Sequence, residues 1–356
     1  MKNKKILIIN NGLSGGGIER ASVSLANYFS DMGHQVDVLA LYQSKPFFSL
    51  VANVSFTEPD FIKRKNGKNV YAIKMMFYVR SKIKQIKPDV ILAFGEWTNP
   101  FVIIASLGFN NPVYVSDRMN PLARLPFISE FLRRKFYKKA SGIIAQTNFA
   151  KEILLGKTKS SKITVIPNPV NAINRINCEF KKRIVSVGRL SSEKGHKYLL
   201  QAFSDITDKS WELSIVGDGP ERVNLEKMAT DLGIHKRVIF HGHLKDFTLQ
   251  LSEAQIFVLP SLKEGFPNAL IEAMSVPLAC ISTDFLKGKN DIVKDGVNGL
   301  IVPIADVTEL TIAMNTLISD ENLRNKIAEN AKKIREDLAF DKIAKQYLDL
   351  ILEHTK

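Results

Sequence analysis

The chain has little cysteine, no long apolar run and no cluster of residues with metal-ligand spacing. Its two cysteines, Cys178 and Cys280, are too few for a disulfide framework, and no Cys/His group has zinc spacing. We therefore expect a reducing compartment and no bound metal. Because no stretch of about 18 apolar residues occurs, no membrane span is predicted. The opening MKNKKILIINNG is typical of a first strand and not of a signal sequence, so we expect a cytoplasmic protein.

The chain has the composition of a folded, soluble protein, and its charge is unevenly distributed. Its 356 residues, 45% apolar and 24% charged, are enough for two domains of about 150 to 200 residues each. Residues 1–170 hold 25 Lys+Arg against 10 Asp+Glu, a balance of +15, whereas residues 171–356 hold 25 against 26, a balance of −1. This asymmetry indicates an anionic partner for the first half, such as a nucleic acid, a membrane surface or a phosphate-bearing substrate.

Short apolar runs alternate with amphipathic segments in both halves, which predicts parallel sheets covered on both faces. The predicted strands are KILIIN, VDVLAL, DVILAF, PVYVSD and GIIAQT, then RIVSVG, ELSIVG, RVIFHG, IFVLPS, LACIST and GLIVP. Prolines and asparagines interrupt this rhythm near residue 170, where we place the domain boundary. We expect an α/β protein with two doubly wound domains, residues 1–170 and 171–340, facing across a cleft. A final helix, about 341–356, can pack back on the first domain.

Two cations follow the first predicted strand of the second half, in RIVSVGRLSSEKGHKYLLQAF. Arg189 and Lys194 lie in the loop, and Gly195 precedes a helix that is predicted to begin near His196. The N–H groups of a helix N-terminus and two fixed charges suit a diphosphate. On these residues alone, solvated loop cations are an equally good interpretation.

Two further predicted strands end in glycine. SIVGDGPER places Gly217 before a helix that Pro220 can start, and RVIFHGHLKD places Gly242 before a loop with His243 and Leu244. The backbone of that loop could hydrogen-bond the edge of a base. Taken alone, the first of these segments is typical of an ordinary tight turn between a strand and a helix.

The stretch VLPSLKEGFPNALIEAM carries two glutamates, Glu264 in a loop and Glu272 on a helix that Pro267 is predicted to open. A carboxylate accepts hydrogen bonds from a vicinal diol such as a ribose. The free backbone N–H groups of Gly265 to Asn268 suit phosphate or sugar oxygens. The combination fits a sugar nucleotide, although two ordinary surface glutamates are an alternative. Four strand ends with such residues on one sheet edge favour the ligand site.

The N-terminal loop NNGLSGGGIER matches neither common nucleotide-binding fingerprint. The spacing that begins at Gly15 ends on Arg20 instead of glycine, and no Gly-Lys-Ser/Thr follows. A dehydrogenase or a kinase is therefore disfavoured.

In this order and spacing, VGRLSSEKG, VGDGPER, FHGHLKD, PSLKEGFPNALIEAM and VKDGVNGLIVP resemble the C-terminal half of the GT-B retaining glycosyltransferases of family 4. GLSGGGIERASVSLANYFSDMGHQVDVL resembles that family's opening loop and first helix, so the resemblance covers nearly the whole chain. It is closest to bacterial members that extend capsule, O-antigen or other lipid-linked oligosaccharides. The resemblance implies an N-terminal acceptor-binding Rossmann-like domain and a C-terminal domain that binds the nucleotide sugar.

The resemblance also implies residue roles. Arg189 and Lys194 would bind the donor diphosphate, Glu264 the transferred sugar and Glu272 the ribose. The backbone of five residues would lie near these groups, namely Gly265, Phe266, Pro267, Asn268 and Ala269. In the first domain, Gly16 and Gly17 would let the backbone approach the donor phosphate and the acceptor. Such enzymes are metal-independent, which agrees with the lack of an Asp-x-Asp sequence.

Three places depart from the family's pattern, and one of them, Pro277 in place of the glycine of Gly-x-Pro, is expected to alter only a turn. Many relatives have a histidine after the fourth strand of the first domain, where this chain has Asp117 and Arg118. A catalytic histidine is therefore in doubt, and we expect either residue to contact the sugar or the acceptor instead. Asp291 stands where a glutamate is common, with Lys287 and Lys289 as further candidates for contacts with the donor or acceptor.

The segment RLPFISEFLRRKFYKKAS, residues 124–141, interleaves aromatic and cationic side chains, and VYAIKMMFYVRSKIKQIK is similar. A helix with an aromatic face and a cationic face can lie in an anionic membrane interface. The alternative, of similar weight, is an ordinary amphipathic helix with its aromatics in the core. A nucleic-acid partner is disfavoured because no recognition module accompanies the charge.

These features together predict a retaining, metal-independent glycosyltransferase without a cofactor. It would move a hexose or N-acetylhexosamine from a UDP-sugar to a saccharide on undecaprenyl diphosphate, at the cytoplasmic face of the inner membrane. Two alternatives stay open. A UDP-sugar epimerase of the same fold would form product without an acceptor, and a non-catalytic binder of a nucleotide or polyanion would tolerate loss of Glu264.

Overall fold

The computed structural model describes residues 3–14, 16–61, 68–123 and 125–353. The chain divides into two compact units: Met1–Asn168 with Asp341–Lys356, called the first unit here, and Pro169–Phe340, called the second unit.

The strands of the first unit are β1 (Lys5–Asn10), β2 (Gln35–Ala40), β3 (Val54–Thr57), β4 (Val90–Phe94), β5 (Val113–Asp117), β6 (Gly142–Ala145) and β7 (Ile163–Val165). Those of the second unit are β8 (Arg183–Val187), β9 (Glu212–Val216), β10 (Val238–Gly242), β11 (Ile256–Leu259), β12 (Ala279–Thr283) and β13 (Leu300–Val302).

The helices, in chain order, are α1 (Gly17–Asp31), α2 (Lys68–Ile86), α3 (Asn99–Ser106), α4 (Phe127–Phe136), α5 (Asn148–Thr158), α6 (His196–Ser204), α7 (Arg222–Asp231), α8 (Thr248–Glu253), α9 (Asn268–Ser275), α10 (Val307–Ser319), α11 (Glu321–Ala331), α12 (Ile334–Asp337) and α13 (Phe340–Leu352). Within the described residues, none of them is both long enough and apolar enough to cross a bilayer.

Each unit has one parallel sheet of the doubly wound type. The order in the first unit is β3-β2-β1-β4-β5-β6-β7, and in the second unit it is β10-β9-β8-β11-β12-β13. The central strands are almost wholly buried, because helices cover both faces of each sheet. The prediction of an α/β fold with two Rossmann-like domains is confirmed, and every predicted strand is present. Two strands that were not predicted, β3 and β7, lie at the edges of the first sheet.

The strand order reverses once in each sheet, and this reversal locates a crevice for ligands. In the first unit it falls between β1 and β4, and in the second between β8 and β11. Parallel strands all end at the same sheet edge, so the loops that follow β8 and β11 leave their strands side by side. Arg189 and Lys194 lie in the first of these loops, and Glu264 lies in the second.

Helix α13 is at the C-terminus in sequence but belongs to the first unit. Its Tyr347 is buried, and the Tyr347 ring stacks on Phe94 of β4 with ring centroids 6.4 Å apart. The Tyr347 hydroxyl lies 3.4 Å from the Ser116 hydroxyl of β5. This helix therefore covers β4 and β5 near their carboxyl ends.

Candidate functional site

The loops after β8 and β11 contact each other closely through their backbones. The Leu262 N–H donates to the Glu193 carbonyl at 2.8 Å. Gly195 has φ +69, and a Cβ atom there would lie 2.0 Å from the Pro260 carbonyl oxygen. Only glycine fits at position 195, because the neighbouring loop packs against its backbone. As predicted, helix α6 begins at the next residue, His196.

An ion pair joins the two loops. Lys194 Nζ lies 2.6 Å from Glu264 Oε1, and the Ser261 hydroxyl donates to the same carboxylate oxygen at 2.7 Å. Thr283 of β12 donates to the Ser261 carbonyl at 2.5 Å. The Glu264 side chain is 9% exposed and that of Lys194 is 25% exposed. A cation and a carboxylate are thus held together at the point where the strand order reverses, partly shielded from water.

Arg189 differs from Lys194 because its side chain is exposed. The neighbouring Glu193 is held by the Ser191 hydroxyl at 2.7 Å, and this hydrogen bond is the main reason why the pKa of Glu193 is lowered. The loop therefore carries an exposed arginine and, five residues later, the ion-paired Lys194. The contact of Arg189 with a diphosphate stays a prediction.

Glycines bring the ends of β8, β9 and β10 together. A Cβ atom on Gly217, whose φ is +141, would lie 1.9 Å from the Gly188 carbonyl oxygen. The Gly217 N–H donates to the Gly242 carbonyl at 2.8 Å. The close approach that Gly217 permits is therefore between protein backbones. Beyond Gly242, His243 is exposed and Leu244 is half-buried, so this loop is accessible to a ligand.

The second glutamate lies on helix α9, which begins at Asn268. Glu272 accepts a hydrogen bond from the Asn171 amide at 3.2 Å. Phe266 and Pro267 are buried, Gly265, Ala269 and Glu272 are half-buried, and Asn268 is exposed. Two details of the prediction are wrong. Pro267 precedes the helix instead of opening it, and the Asn268 N–H is not free, because it donates to the Phe266 carbonyl at 3.0 Å.

The other candidate residues of the second unit, Lys287, Lys289 and Asp291, are exposed in the segment after β12. Lys287 has φ +53, a backbone conformation that is uncommon for a residue with a side chain. Contacts of these three residues with donor or acceptor stay a prediction.

In the first unit, Gly16 and Gly17 lie at the N-terminus of helix α1. A Cβ atom on Gly16 would lie 2.1 Å from a carboxylate oxygen of Glu19, which folds back over the helix end. Nothing lies within 4 Å of the corresponding position on Gly17. The space beside Gly17 is therefore available to a ligand, whereas the space beside Gly16 is occupied by the Glu19 carboxylate. Gly15 lies outside the described residues.

Asp117 is the last residue of β5 and is 6% exposed. Its carboxylate lies 3.6 Å from the Arg133 guanidinium and accepts a hydrogen bond from Tyr137 at 3.2 Å. Burial and the nearby charge of Glu96 raise the pKa of Asp117 to about 7, although Arg133 and Tyr137 act in the opposite direction. The Asp117 side chain is thus engaged inside the first unit, and its contact with a sugar or acceptor stays a prediction.

Arg118 is also bonded within the first unit. Its guanidinium donates to the Tyr347 hydroxyl at 3.2 Å and to the side-chain oxygen of Asn168, and its backbone N–H donates to the Glu96 carboxylate. Glu96, which is 2% exposed, was not predicted as a site residue. Its position directly after the apolar strand β4 was the available signal, since a carboxylate at a strand end of a doubly wound sheet points to the ligand edge.

Helix α4 exposes three of the apolar residues that the core interpretation placed inside. Phe127 is 85% exposed, Ile128 69% and Phe131 52%, whereas Arg133 is buried. Tyr137 and Leu125 are buried as that interpretation requires, so both interpretations hold for part of the segment. Arg124 lies outside the described residues.

Comparison with known families identifies the class of the protein. Residues 15–172 match the model described as Glycosyltransferase Family 4, and residues 174–334 match the model described as Glycosyl transferases group 1. Structures with the same two-domain architecture match along nearly the full chain. The chain therefore belongs to the family 4 type of glycosyltransferases with the GT-B fold.

Two similar proteins are bacterial glycosyltransferases. One, from Campylobacter jejuni, is named GalNAc-alpha-(1->4)-GalNAc-alpha-(1->3)-diNAcBac-PP-undecaprenol alpha-1,4-N-acetyl-D-galactosaminyltransferase. It is 28% identical over 356 residues, covering 98% of each chain. The amylovoran biosynthesis glycosyltransferase AmsD of Erwinia amylovora is 24% identical over 359 residues, covering 98% of this chain and 99% of AmsD.

Among solved structures, Anabaena HepE in complex with UDP has a TM-score of 0.85 at 19% identity, covering 98% of this chain and all of HepE. The apo form of the lipopolysaccharide outer core galactosyltransferase WaaB has a TM-score of 0.83 at 21% identity, covering 98% of this chain and 99% of WaaB. At these identities the likeness concerns the fold.

Proposed function

We propose that this glycosyltransferase moves a hexose or N-acetylhexosamine from a UDP-sugar to a saccharide on undecaprenyl diphosphate, with retention at the anomeric carbon. The observation that carries the proposal is the Lys194–Glu264 pair, 2.6 Å apart where the strand order of the second sheet reverses. The full-length similarity to a transferase whose name gives an undecaprenol-linked acceptor supports the carrier. The similarity in fold to HepE, solved with UDP and with UDP-glucose, supports the donor.

In the proposed reaction, an acceptor hydroxyl oxygen bonds to the anomeric carbon while the bond from that carbon to the β-phosphate oxygen breaks, and the hydroxyl proton passes to the departing diphosphate. The products are a glycoside and UDP. Lys194, Arg189 and the N-terminal amides of helix α6 stabilise the negative charge that develops on the departing diphosphate. Fixed cations and amides of this kind lower the barrier because they need no reorganisation during the reaction. No metal ion is needed for this charge stabilisation.

Glu264 has two tasks in this mechanism. Its carboxylate orders Lys194 and accepts hydrogen bonds from hydroxyls of the transferred sugar. Ser261 donates to one carboxylate oxygen, and in this proposal the other oxygen accepts from the sugar hydroxyls. Glu272, on the following helix, accepts hydrogen bonds from the ribose hydroxyls in exchange for its contact with Asn171.

The decisive experiment is a panel of UDP- and GDP-sugars incubated with the protein and membrane-extracted lipid acceptors, with mass spectrometry of the lipid. We expect one hexose or N-acetylhexosamine to be added from a UDP-sugar, with loss of transfer in Glu264→Ala and Arg189→Ala. Product formed from a UDP-sugar without any acceptor would instead identify an epimerase. Unchanged turnover in both variants would exclude the assigned roles.

The same proposal places the protein at an anionic membrane surface through helix α4. Three large apolar side chains of its first turns, Phe127, Ile128 and Phe131, are exposed, and exposed cations follow them in the sequence, at Arg134, Lys135, Lys138 and Lys139. Each basic residue near an anionic surface contributes about 1 kcal/mol, and the apolar side chains add to this by insertion. Docking of this kind would bring a lipid-linked acceptor to the first unit.

A further inference from the structure

A small cavity of about 200 Å³ opens at the carboxyl edge of the seven-stranded sheet in the first unit. It lies where the strand order reverses, because its lining comes from the loops after β1, β2 and β4 and from helices α2 and α3. The lining residues are Asn11, Leu41, Tyr42, Tyr71, Ala72, Met75, Trp97, Thr98 and Phe101. None of these residues belongs to the site proposed above for the donor.

The wall of this cavity is formed by aromatic rings held in fixed orientations. Tyr42 and Tyr71 stack with ring centroids 5.6 Å apart and planes within 5°, and Phe61 packs on Tyr71 edge to face at 5.3 Å. The Tyr71 hydroxyl donates to the Leu41 carbonyl at 2.7 Å. Since its only O–H is used, Tyr71 offers the cavity an apolar ring and not a donor.

Polar groups lie at one side of the same cavity. The Thr98 hydroxyl lies 3.2 Å from both the Asn11 side-chain oxygen and the Phe94 carbonyl oxygen, and its single hydrogen can be donated to either acceptor. The Asn11 NH₂ group is the donor that this side chain can offer to the cavity. Trp97, 48% exposed, stands beside Thr98 on the lining. The cavity therefore combines an apolar wall, an exposed indole and one amide.

We propose that this cavity, called the aromatic pocket here, binds the acetamido group of an N-acetylated acceptor sugar, with the sugar ring against Trp97. An acetamido group presents a methyl group, which fits the apolar wall, and a carbonyl oxygen, which accepts from the Asn11 amide. Ligand sites commonly have this composition of mostly apolar lining with a few oriented polar groups. The proposal rests on the proposed transferase function, because it assigns the acceptor of that reaction.

The size of the aromatic pocket separates this ligand from two others. Sites for whole drug-sized ligands have volumes of about 300 to 1,000 Å³, so about 200 Å³ is too small for a nucleotide or for a polyprenyl chain. This volume leaves room for a substituent of a sugar. The aromatic pocket thus selects a substituent and leaves the rest of the acceptor outside.

Intrinsic fluorescence tests binding without turnover. The chain has two tryptophans, and the other, Trp211, is 3% exposed in the second unit. We expect methyl N-acetyl-galactosaminide or methyl N-acetyl-glucosaminide to change the Trp97 emission of the full chain with saturation. Methyl galactoside and methyl glucoside, which lack the acetamido group, should have at least tenfold weaker effects. Trp97→Phe should abolish the change, while Trp211 emission reports that the variant is folded.

Acceptor kinetics supply the second measurement. For Phe101→Leu and Asn11→Ala, we expect the acceptor KM to rise about 10- to 100-fold, with the donor KM and UDP affinity unchanged, since losing contacts to one substituent is worth about this factor. The preference for N-acetylated over plain acceptors should fall by the same factor. An unchanged acceptor preference together with no saturable fluorescence change would overturn the aromatic pocket. Saturable binding of acetamido sugars without transfer to any lipid would support the aromatic pocket as a binding site but reject the proposed reaction.

Discussion

The two units share one strand order but differ in what they place at its reversal. In the second unit a lysine and a glutamate from neighbouring loops form an ion pair, 2.6 Å apart and in part open to water. In the first unit the corresponding edge holds the aromatic pocket, and the nearby carboxylates, Asp117 and Glu96, are buried and bonded to the protein itself. The same topology therefore supports an ion pair partly open to water in one unit and a largely apolar pocket beside buried, paired charges in the other.

This contrast runs against the net charge of the two halves. Residues 1–170 carry a balance of +15, yet the pocket at their ligand edge is mostly apolar, whereas residues 171–356 are nearly neutral and hold the ion pair that is partly open to water. Net charge describes the long-range field of a domain, which attracts anionic surfaces and ligands. It does not locate the chemistry, which depends on the few groups at the strand ends.

The largest effect should come from removing the ordered cation of the second unit. We expect Lys194→Met to lower kcat by roughly 100- to 1,000-fold, because one preorganised charge-stabilising group contributes about this much. The glycosyl-transfer assay with a UDP-sugar and lipid acceptor measures it. Lys197, exposed in the first turn of helix α6 directly after the loop that carries Lys194, is the matched control, and Lys197→Met should retain turnover within about twofold. Equal losses in the two variants would mean that general charge, and not the position of Lys194, is responsible.

The packing of the strand ends in the second unit can be tested by one methyl group. We expect Gly217→Ala to destabilise the second unit by about 3 kcal/mol or more, because the new Cβ atom would overlap the Gly188 carbonyl and φ is unfavourable. Gly233→Ala is the matched control: φ is +69 but nothing lies within 4 Å, so about 1 kcal/mol is expected. Urea unfolding followed by Trp211, in a Trp97→Phe background, measures both. Similar losses would show that the contact with Gly188 is relaxed elsewhere.

Titration of a buried imidazole should make the second unit sensitive to acid. His196 is 3% exposed, neither of its ring nitrogens has a hydrogen-bond partner among the described residues, and burial lowers its pKa to about 4. Because the unfolded chain has an ordinary pKa near 6.5, the unfolded state binds the proton first. The stability from neutral His196 is present above about pH 6.5 and is lost as the pH falls towards 4.

The variant His196→Gln separates this titration from the others. We expect the wild type to lose about 2 kcal/mol relative to the variant between pH 6.5 and 4.5, measured by urea unfolding with Trp211 as the reporter. A constant difference between the two proteins over this range would contradict the role of His196.

The first unit should respond to pH with the opposite sign through Asp117. Its pKa is raised to about 7 by burial and by Glu96, so the folded state holds a proton that the unfolded chain releases near pH 4. Stability therefore falls as the pH rises from about 4 to 7. Relative to Asp117→Asn, we expect the wild type to lose about 3 kcal/mol over this range. Hydrogen exchange of peptides from β5 and β6 measures it, and a wild type that gains stability with pH relative to the variant would contradict the raised pKa.

The sequence predicted the sheets well because central parallel strands are continuous apolar runs. The missed strands, Val54–Thr57 and Ile163–Val165, are short and lie at the edges of the sheet. An edge strand pairs on one side only and is less buried, so its residues need not form a continuous apolar run. Loop residues such as Lys194 and Glu264 were found because charge directly after an apolar strand is conspicuous. Their mutual contact, across 70 positions, depends on β8 and β11 being neighbours.

The sequence could not predict which face of helix α4 turns inward. Aromatic and cationic residues are interleaved there, so a helical period alone fits either orientation. The inward face includes Arg133, which pairs with the buried Asp117, because an unpaired buried carboxylate would be costly. Phe127 and Phe131 are exposed on the same helix. A partner from another element decided the orientation, and such a partner is not visible in a local pattern.

The smallest expected effect concerns those exposed aromatics and again separates the two units. We expect Phe127→Ser with Phe131→Ser to weaken binding to vesicles of phosphatidylglycerol and phosphatidylethanolamine by about tenfold, since two side chains lose their insertion while the basic residues remain. Co-sedimentation at a fixed salt concentration measures it. Val223, 75% exposed on helix α7 of the second unit, is the matched control, and Val223→Ser should bind as the wild type does. Weaker binding by the double variant, but not by Val223→Ser, would assign membrane docking to the first unit. Equal binding by the wild type and both variants would mean that the cations of the chain alone attract it to the membrane and that helix α4 does not insert.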